Sequence, residues 1–514
     1  MEIKPLFIGN RSAAFCLDPD ACYALVQPVQ LRLNGEPAGS TEKAVTSLFH
    51  LLPDTDYCLE AICDEQTLSF SFHTQEESCT LDVRRFGAVG DGVHDDSAAL
   101  QAAILACPEG GRVLVPAGRW RTLPLFLKSH IRLELQKDAV LALETDRSRF
   151  PVLPGMTLMH DKSQDLNLGS WEGNPLDSYA SLITGIGIED CILYGEGTLD
   201  GQADRGDWWI DAKVRRGAWR GNLFFTNHCR NLTLHGLTFM NSPAWNLHPY
   251  FSDDLRFLGL TIQAPAVSPN TDGFDPESCR NVLLAGTHFS VGDDCIAVKS
   301  GKIYMGRRYQ TPCSDLEVAH CLMEDGHGGV TLGSEMSGGI VNMHVHHCVM
   351  RHTDRGLRIK TRRGRGRDGV IDGIRFDHIR MEQVRCPFVV NSLYCCDPDG
   401  HSAFVQSEEP QPVDEGTPRL GSFSFEDVTC SGASVAGCFL GLPEKPIESV
   451  AMNRVRIACG ADAPAMQPAM ADCMPKLTRT GLILRHVARV SLTDTEITGC
   501  EGETLLPEDV KEVL

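Results

Sequence analysis

Short alternating runs of apolar and polar residues, each broken by Gly, Asn, His or Asp, recur along most of this chain. They read CILYGEGTLDG at 191, NLTLHGLTFMNS at 231, DLRFLGLTIQAP at 254, NVLLAGTHFSVG at 281, DLEVAHCLMEDG at 315, NMHVHHCVMRHTD at 342 and IDGIRFDHIRMEQV at 371. Successive starts lie 40, 23, 27, 34, 27 and 29 residues apart. A period of two predicts strands. A unit of two short strands cannot bury its own apolar face, so the units must stack on one another. The pattern predicts an all-β chain built as a right-handed parallel β-helix. FSFEDVTCSG at 423, AMNRVRIACG at 451 and ARVSLTDTEITG at 488 read as later coils, with long loops inserted near 395–420 and 460–480. No 3.6-residue period is sustained anywhere, which excludes a helical bundle.

Residues 1–78 alternate differently, in CYALVQPVQLRL, SLFHLL and TLSFSFHT, with turns at Asn34-Gly35 and Pro53-Asp54, and predict a small β-sandwich. The stretch LLPDTDYCLEAI, Leu51 to Ile62, resembles the corner of fibronectin type III-like domains, where a tyrosine, here Tyr57, returns its hydroxyl to upstream backbone. For this module a packing or spacer role is expected. After the polar linker QEESC, residues 79–514 form the β-helix domain. Its opening, Leu81 to Cys107, reads as strand, Gly-rich turn and capping helix, with Asp95 or Asp96 as N-cap and Ala99, Ala102, Ala103 and Ile104 on the core face. The GDG turn lacks the Lys-Ser/Thr ending of a phosphate loop and the glycine spacing of a dinucleotide site.

Composition narrows the function classes. Length alone suggests about three domains, but a solenoid core grows in one dimension, and 42% apolar content with 48 glycines suits a large buried core. A net charge of −21 speaks against nucleic acid and against an anionic membrane surface. The start, MEIKPLFIGNRSAAFCLDPD, has no basic-then-apolar leader pattern, and no run of about 18 apolar residues occurs. Twenty-one cysteines, an odd and scattered set that includes Cys191, Cys321 and Cys348 within apolar runs, fit reduced thiols and a cytoplasmic setting. Cys313 and Cys395-Cys396 show no CxxC pairing of a zinc site.

Residues one coil apart in sequence become neighbours about 4.8 Å apart in space. NTDGFD supplies Asp272 with Asp275, GDDCIAVKSG supplies Asp293 and Asp294, GHGGVTLGSE supplies His327, and RGLRIKT supplies Arg358 and Lys360. Four consecutive coils therefore bring polar groups to one cleft. Crowded carboxylates cannot all ionise cheaply, so one should keep a proton. A protonated carboxyl beside an ionised one is what glycoside hydrolysis requires, and it needs no cofactor. Arg355, Arg358, Lys360, Arg362, Arg363, Arg365 and Arg367 add seven cations within 13 residues, a focus suited to an anionic ligand. A sugar acid satisfies both halves.

These four motifs, in this order, resemble the polygalacturonase family of glycoside hydrolases, inverting enzymes with a right-handed parallel β-helix; the resemblance spans about 80–460. NSPAWNLHPY, SPNTDGFDPESC and RGLRIKTRRGRGR are most similar to bacterial exo-acting members with a fibronectin-like module in front. The resemblance implies Asp293 as general acid, Asp272 and Asp294 as activators of water, and His327 as holder of the acid's hydrogen-bond network. It implies Arg358 and Lys360 as binders of a galacturonate carboxylate and Asn270 as the residue that orients the base loop. Gly292 stands where many endo-acting members have Gln, which weakens any expectation of internal cleavage. The expected substrate is an α-1,4-linked polygalacturonate or oligogalacturonide, cut from its end to release galacturonate.

Inversion needs room for a water, so the acid and base carboxyls should stand about 6.5–9.5 Å apart, and every pair near 5 Å would count against it. Other readings stay open: a hydrolase of rhamnogalacturonan or xylogalacturonan, a calcium-dependent lyase, for which the Asp spacing offers no contiguous loop, and a non-catalytic β-helix that binds a polyanion through the Arg-rich loop. Arg362 to Arg367 read as a partly solvated loop. Trp171, Trp208, Trp209, Trp219 and Trp245 read as buried cover for the β-helix, with Trp171 in a polar insertion, 160–180, placed to close one end of the cleft.

Overall fold

The computed structural model describes residues 2–64, 66–158 and 165–514. The first residues of the insertion expected at 160–180, up to 164, lie outside the described residues. The N-terminal sandwich has two antiparallel sheets, one of three strands and one of four. Lys4–Ile8 and Val45–Leu48 flank Ala13–Cys16 in the first, and in the second Ala24–Leu33 and Asp56–Cys63 lie between Glu36–Lys43 and Gln66–His73. Phe15, Leu31, Leu59 and Phe72 fill its core, and the Leu52 N–H donates to the Tyr57 hydroxyl at 2.9 Å.

A parallel β-helix follows, with 31 of its strands joined in one sheet and Leu125–Phe126, Ile183–Ile186, Phe224–Asn227 and Leu247–Tyr250 in a second of four. Each of the seven repeats located from 191 to 371 coincides with a strand: Glu189–Gly195, Arg230–His235, Asp253–Leu258, Arg280–Ala285, Cys313–Ala319, Ile340–His346 and Val370–Glu382 pair in order, in parallel. Stacking places like beside like, so Leu232, Leu255, Val282, Leu316 and Met343 form one inward row and Leu234, Phe257, Leu284 and Val318 the next. Every side chain in these rows is at most 3% exposed. Burying each contributes about 1.5–3 kcal/mol. The coils start earlier than the repeat suggests, because Gly111–Val115 and Ile131–Leu135 already stack beneath Glu189–Gly195; their flanking loops lack the regular spacing.

Turn chemistry repeats with the coils. Asp190, Asn231, Asp254, Asn281, Asp315 and Asn342 occupy equivalent left-handed positions, with φ between 52° and 58°, a conformation short polar side chains tolerate. Asn281 donates to the Asp254 carboxylate at 2.6 Å and Asn342 bonds Asp315 in the same way, so neighbouring turns are linked along the solenoid.

The capping helix spans Ser97–Ala106. Asp96 holds the N-cap position, but its carboxylate accepts from the Val89 and Gly90 N–H groups, while Asp95 accepts from Ser97 N–H. Leu100, Ala103 and Ile104 face the core and Ala102, expected there, faces solvent. The sandwich docks on the outside of the solenoid: Ala14 and Val45 pack with Leu258, Ala285 and Ala319. Beside them His235 is buried between the hydroxyls of Ser12 and Ser47, at 3.2 and 2.8 Å. Among the described residues no helix is long and apolar enough to cross a membrane.

Candidate active site

A third face of the solenoid, which the repeat pattern did not reveal, carries the site. Phe224–Asn227, Leu247–Tyr250, Ile296–Val298, Val330–Gly333 and Arg355–Lys360 stack there, with the segment around Phe274 bridging Leu247 to Ile296. Phe274, Ile296, Val330 and Leu357 point inward at equivalent positions. The residues just before them form the turn that opens onto the cleft: the Gly273 N–H donates to the Asp294 carbonyl and the Cys295 N–H to the Gly328 carbonyl. Asp272 and Asp294 are thereby stacked one coil apart, and Asp293 stands beside His327.

Asp272, Asp293 and Asp294 each place a carboxylate oxygen within 4.8 Å of the other two. The three differ in surroundings. Asp294 is buried; Arg358 donates to its Oδ1 at 3.1 Å and Lys360 to its Oδ2 at 3.0 Å. Burial opposes its charge, but Lys360 and Arg358 overrule that and hold the carboxyl far below the usual carboxylate range. Asp272 is 5% exposed and its Oδ1 has no hydrogen-bond partner. Burial, reinforced by the negative charge of Asp293 and Asp275, pushes it well above that range. Asp293 is the most open of the three and meets His327, Nδ1 to Oδ1, at 3.3 Å, a contact that raises the imidazole pKa. Burial therefore favours Asp272 as the seat of a proton in the cluster.

At their nearest oxygens the carboxyls lie within 4.8 Å of one another, so the spacing gives no support to the roughly 6.5–9.5 Å expected between acid and base. A divalent cation among the three would compete with Arg358 and Lys360 for Asp294, whose two oxygens they already occupy. Asn270, at φ 54°, accepts from Arg220 at 2.7 Å, and Arg220 also donates to the carbonyls of Pro243 and Pro269. It thus ties the loop that carries Asp272. Gly292 packs so closely that a Cβ there would meet Ser268 O at 2.4 Å, so no larger side chain fits without moving that loop.

The motif residues Asn270, Asp272, Asp293, Asp294, His327, Arg358 and Lys360 all line one cleft of about 420 Å³. Asp275 does not: it lies fully buried behind it, 3.3 Å from Lys299. Lys299 and Glu335 are cleft residues the motifs did not single out, 3.7 Å apart, with the Lys299 ammonium 4.5 Å from the Trp245 ring. A lysine and a glutamate that fall at strand register 299 and beyond the next coil's strand offered the only signal.

The Arg-rich run is not solvated, contrary to expectation. Arg362 pairs with Asp397 and Asp399, Arg365 with Asp397, and Arg363 with Glu444. All three arginines are buried, and only Arg367 is exposed. Their charge anchors the inserted loops instead of facing a ligand. Trp171, Trp208 and Trp245 are buried as expected. Trp171 stacks on Trp219 at 4.7 Å, and the adjoining Glu172 lines the cleft. Gly173 follows at φ 71°, its carbonyl accepting from the Lys302 N–H, where a Cβ would strike Glu335 Cγ at 2.7 Å. On another side Tyr394, Cys396 and Met470 wall the cleft.

The sequence profile of glycosyl hydrolases family 28 matches residues 139–469, and that of rhamnogalacturonase A/epimerase, pectate lyase-like, matches 80–132. A probable polygalacturonase of Vitis vinifera is 32% identical over 386 residues, 74% of either chain. An endo-polygalacturonase of Pectobacterium parmentieri is 30% identical over 70% of this chain and 83% of its own. The solved Family 28 exopolygalacturonase of Yersinia enterocolitica superposes with a TM-score of 0.73 over 100% of this chain and 98% of its own; at 18% identity this is a likeness of fold. The coils that carry the carboxyl cluster lie inside the matched span, and the chain belongs to glycosyl hydrolases family 28: it is a glycoside hydrolase.

Proposed function

We propose that the protein hydrolyses α-1,4-galacturonosyl linkages of polygalacturonate or its oligomers, from the chain end, releasing galacturonate. The observation that carries this is the cluster of three unlike carboxyls within reach of Arg358, Lys360 and His327 in a walled cleft. The names of the two sequence relatives point to the same polymer. A cleft of about 420 Å³ is near the small end of the roughly 300–1,000 Å³ of ligand pockets, which suits a terminal residue or two. The walls at Glu172 and at Tyr394–Asp397, and the tight fit of Gly292 against the Ser268 loop, favour end cleavage.

In this reading Asp272 and Asp293 share one proton, and the reactive arrangement has it on Asp293, the open carboxyl, which gives it to the leaving oxygen. Asp272, then ionised, takes the proton of an attacking water, which Asp294 helps to orient. Separation does not argue for this single displacement; availability does. Asp294 already accepts from Arg358 and Lys360 through its two oxygens, which lowers its nucleophilicity, and Asp272 is buried. Arg358 and Lys360, which the resemblance assigned to substrate, act first on Asp294 and reach a uronate carboxylate with their remaining N–H groups.

The N-terminal module has the sheet membership and tyrosine contact that support a fibronectin type III-like reading, with a packing role on the solenoid. Its span, 1–78, and that of the catalytic domain, 79–514, follow the same proposal. Twenty-one unbridged cysteines, most of them buried, support a reducing, cytoplasmic setting.

The test is chromatography of products from polygalacturonate and from short oligogalacturonides, with D293N in parallel. Galacturonate alone from the first time point, lost about 10²–10⁴-fold in D293N, is expected; a ladder of oligomers overturns end cleavage. Proton NMR of the first product should show the β anomer, and an initial α anomer overturns single displacement.

A further inference from the structure

Away from the carboxyl cluster, Cys395, His401 and Asp472 each place a potential ligand atom within 4.8 Å of the other two. The sequence gives no hint of this, since the residues come from two separate inserted loops. Backbone contacts hold the junction. The Cys395 N–H donates to the Met470 carbonyl at 3.2 Å, and the Asp472 N–H donates to Gln406 Oε1 at 2.9 Å. The Gln406 amide in turn donates to the carbonyls of Leu393 and Gly400 at 2.7 and 2.8 Å. None of these bonds uses a ligand atom of the trio. The imidazole is oriented by Asp472, Nδ1 to Oδ1, at 2.7 Å. Cys395 is half-buried while His401 and Asp472 are exposed, so one side is open to an arriving ion and to a water as fourth ligand.

Thiolate, imidazole and carboxylate together form a donor set for a borderline-soft divalent ion, with bonds of about 2.3, 2.0–2.1 and 2.0–2.2 Å to zinc. Tetrahedral coordination at such lengths spaces ligand atoms by roughly 3.3–3.8 Å, inside the 4.8 Å limit within which the three lie; the His401–Asp472 contact at 2.7 Å has to open to admit the ion, which their exposed side chains allow. One carboxylate is too few for calcium, which takes six to eight oxygens.

We propose that Cys395, His401 and Asp472 form a zinc-type metal site that clips the two inserted loops together at the wall of the cleft. On binding, the Cys395 S–H bond breaks, its proton passes to water and the sulfur–metal bond forms, with no change of oxidation state. Tyr394, Cys396 and Met470, which line the cleft, adjoin the trio, so occupancy bears directly on that wall. A second grouping, His347, Asp377 and His378, is less suited. Its two rings lie face to face, 4.5 Å apart and 6° from parallel, so their lone pairs run alongside each other instead of converging. Asp377 is also already bonded by His344, His378 and Arg375.

The test is calorimetric titration of the metal-stripped full-length protein with Zn²⁺, and with Co²⁺ read by its thiolate charge-transfer absorption. Metal uptake is read without substrate, so its outcome is independent of the proposed activity. One equivalent per chain is expected, weakened at least about tenfold in each of C395S, H401A and D472N, with the cobalt–thiolate band lost in C395S and uptake unchanged in H347A. His401 and Asp472 are exposed, so their variants should fold, as circular dichroism can verify. No saturable uptake, uptake unaltered in both C395S and H401A, or uptake abolished in H347A overturns the site.

Discussion

Replacing Arg363 by Met tests whether the Arg-rich run is an internal anchor. Its side chain is 2% exposed and bonds Glu444 through Nε at 2.6 Å and Nη2 at 2.9 Å; Nη1 donates to the carbonyls of Phe404, Val405 and Ser407. Glu444 is itself 4% exposed. Burial disfavours its charge, and the hydrogen bond from Arg363 brings the carboxyl below its ordinary range. Removing one member of such a pair leaves a buried charge and costs about 3–5 kcal/mol. At roughly 2.1 cal/mol/K per residue, the unfolding entropy of this chain is about 1.1 kcal/mol/K, so the apparent Tm should fall by about 3–5 °C. Scanning calorimetry at one fixed rate measures it, since unfolding of a chain this long is rate-dependent. The double variant R363M/E444L removes both charges and should recover most of the loss. A drop below about 1 °C in R363M would refute the anchor and return the run to solvent. A double variant no better than R363M would place the cost in the three carbonyls rather than in the abandoned carboxylate.

Three further outcomes follow from the cleft. Asp272 is raised and His327 is raised, so both hold protons below their shifted values and lose them as pH climbs; kcat should fall on the alkaline side by about tenfold per pH unit once the cluster's proton is gone, and D272N, which cannot share a proton, should lose that limb together with about 10²–10⁴ of the rate. Glu335 runs the other way: burial opposes its charge, but Lys299, Lys302 and Lys360 hold it down to about 2, so its stabilising contribution is present above its ordinary range and disappears only as pH falls towards 2, which acid unfolding of E335Q against the parent protein checks. G173V puts a branched side chain at φ 71° against Glu335, at about 1–3 kcal/mol of strain, and should displace the Glu172 wall and add dimers to the product mixture; unchanged products would mean that this wall does not set the cleavage point.

Much of the fold was readable because a solenoid makes the same demand on every coil. The inward rows need alternation and the turns need residues that accept a left-handed backbone, so Leu232, Leu255 and Val282, with Asn231, Asp254 and Asn281 just before them, announce their stacking. The carboxyl cluster was readable for the same reason: one coil of sequence becomes one strand spacing in space. What stayed hidden depends on partners with no fixed offset. Arg362, Arg363 and Arg365 read as part of a solvated cationic loop because Asp397, Asp399 and Glu444 lie between 32 and 81 residues away, inside loops that obey no repeat. Cys395, His401 and Asp472 were invisible for the same cause. The third sheet was missed because its strands are short and Leu247–Tyr250 contains a proline and a histidine, which mute the alternation.

The chemistry of the cluster comes from the stacking more than from the motifs. Asp293 and Asp294 are neighbours in sequence, yet the turn before Ile296–Val298 points one towards His327 and open cleft and the other towards Arg358 and Lys360 two coils further on. Asp272, a coil earlier, receives neither partner and is left in a dry position with an unbonded oxygen. Three identical side chains thus meet a cationic, a buried and unbonded, and a partly open environment within 4.8 Å. Such a divergence is what separates acid from base when like groups share a site. It also gives the cations at Arg358 and Lys360 a part to play even before any sugar arrives, since both bond Asp294. Without them Asp294 would compete for the proton that Asp272 and Asp293 share, and the cluster would hold a second proton at the pH where it must hold one.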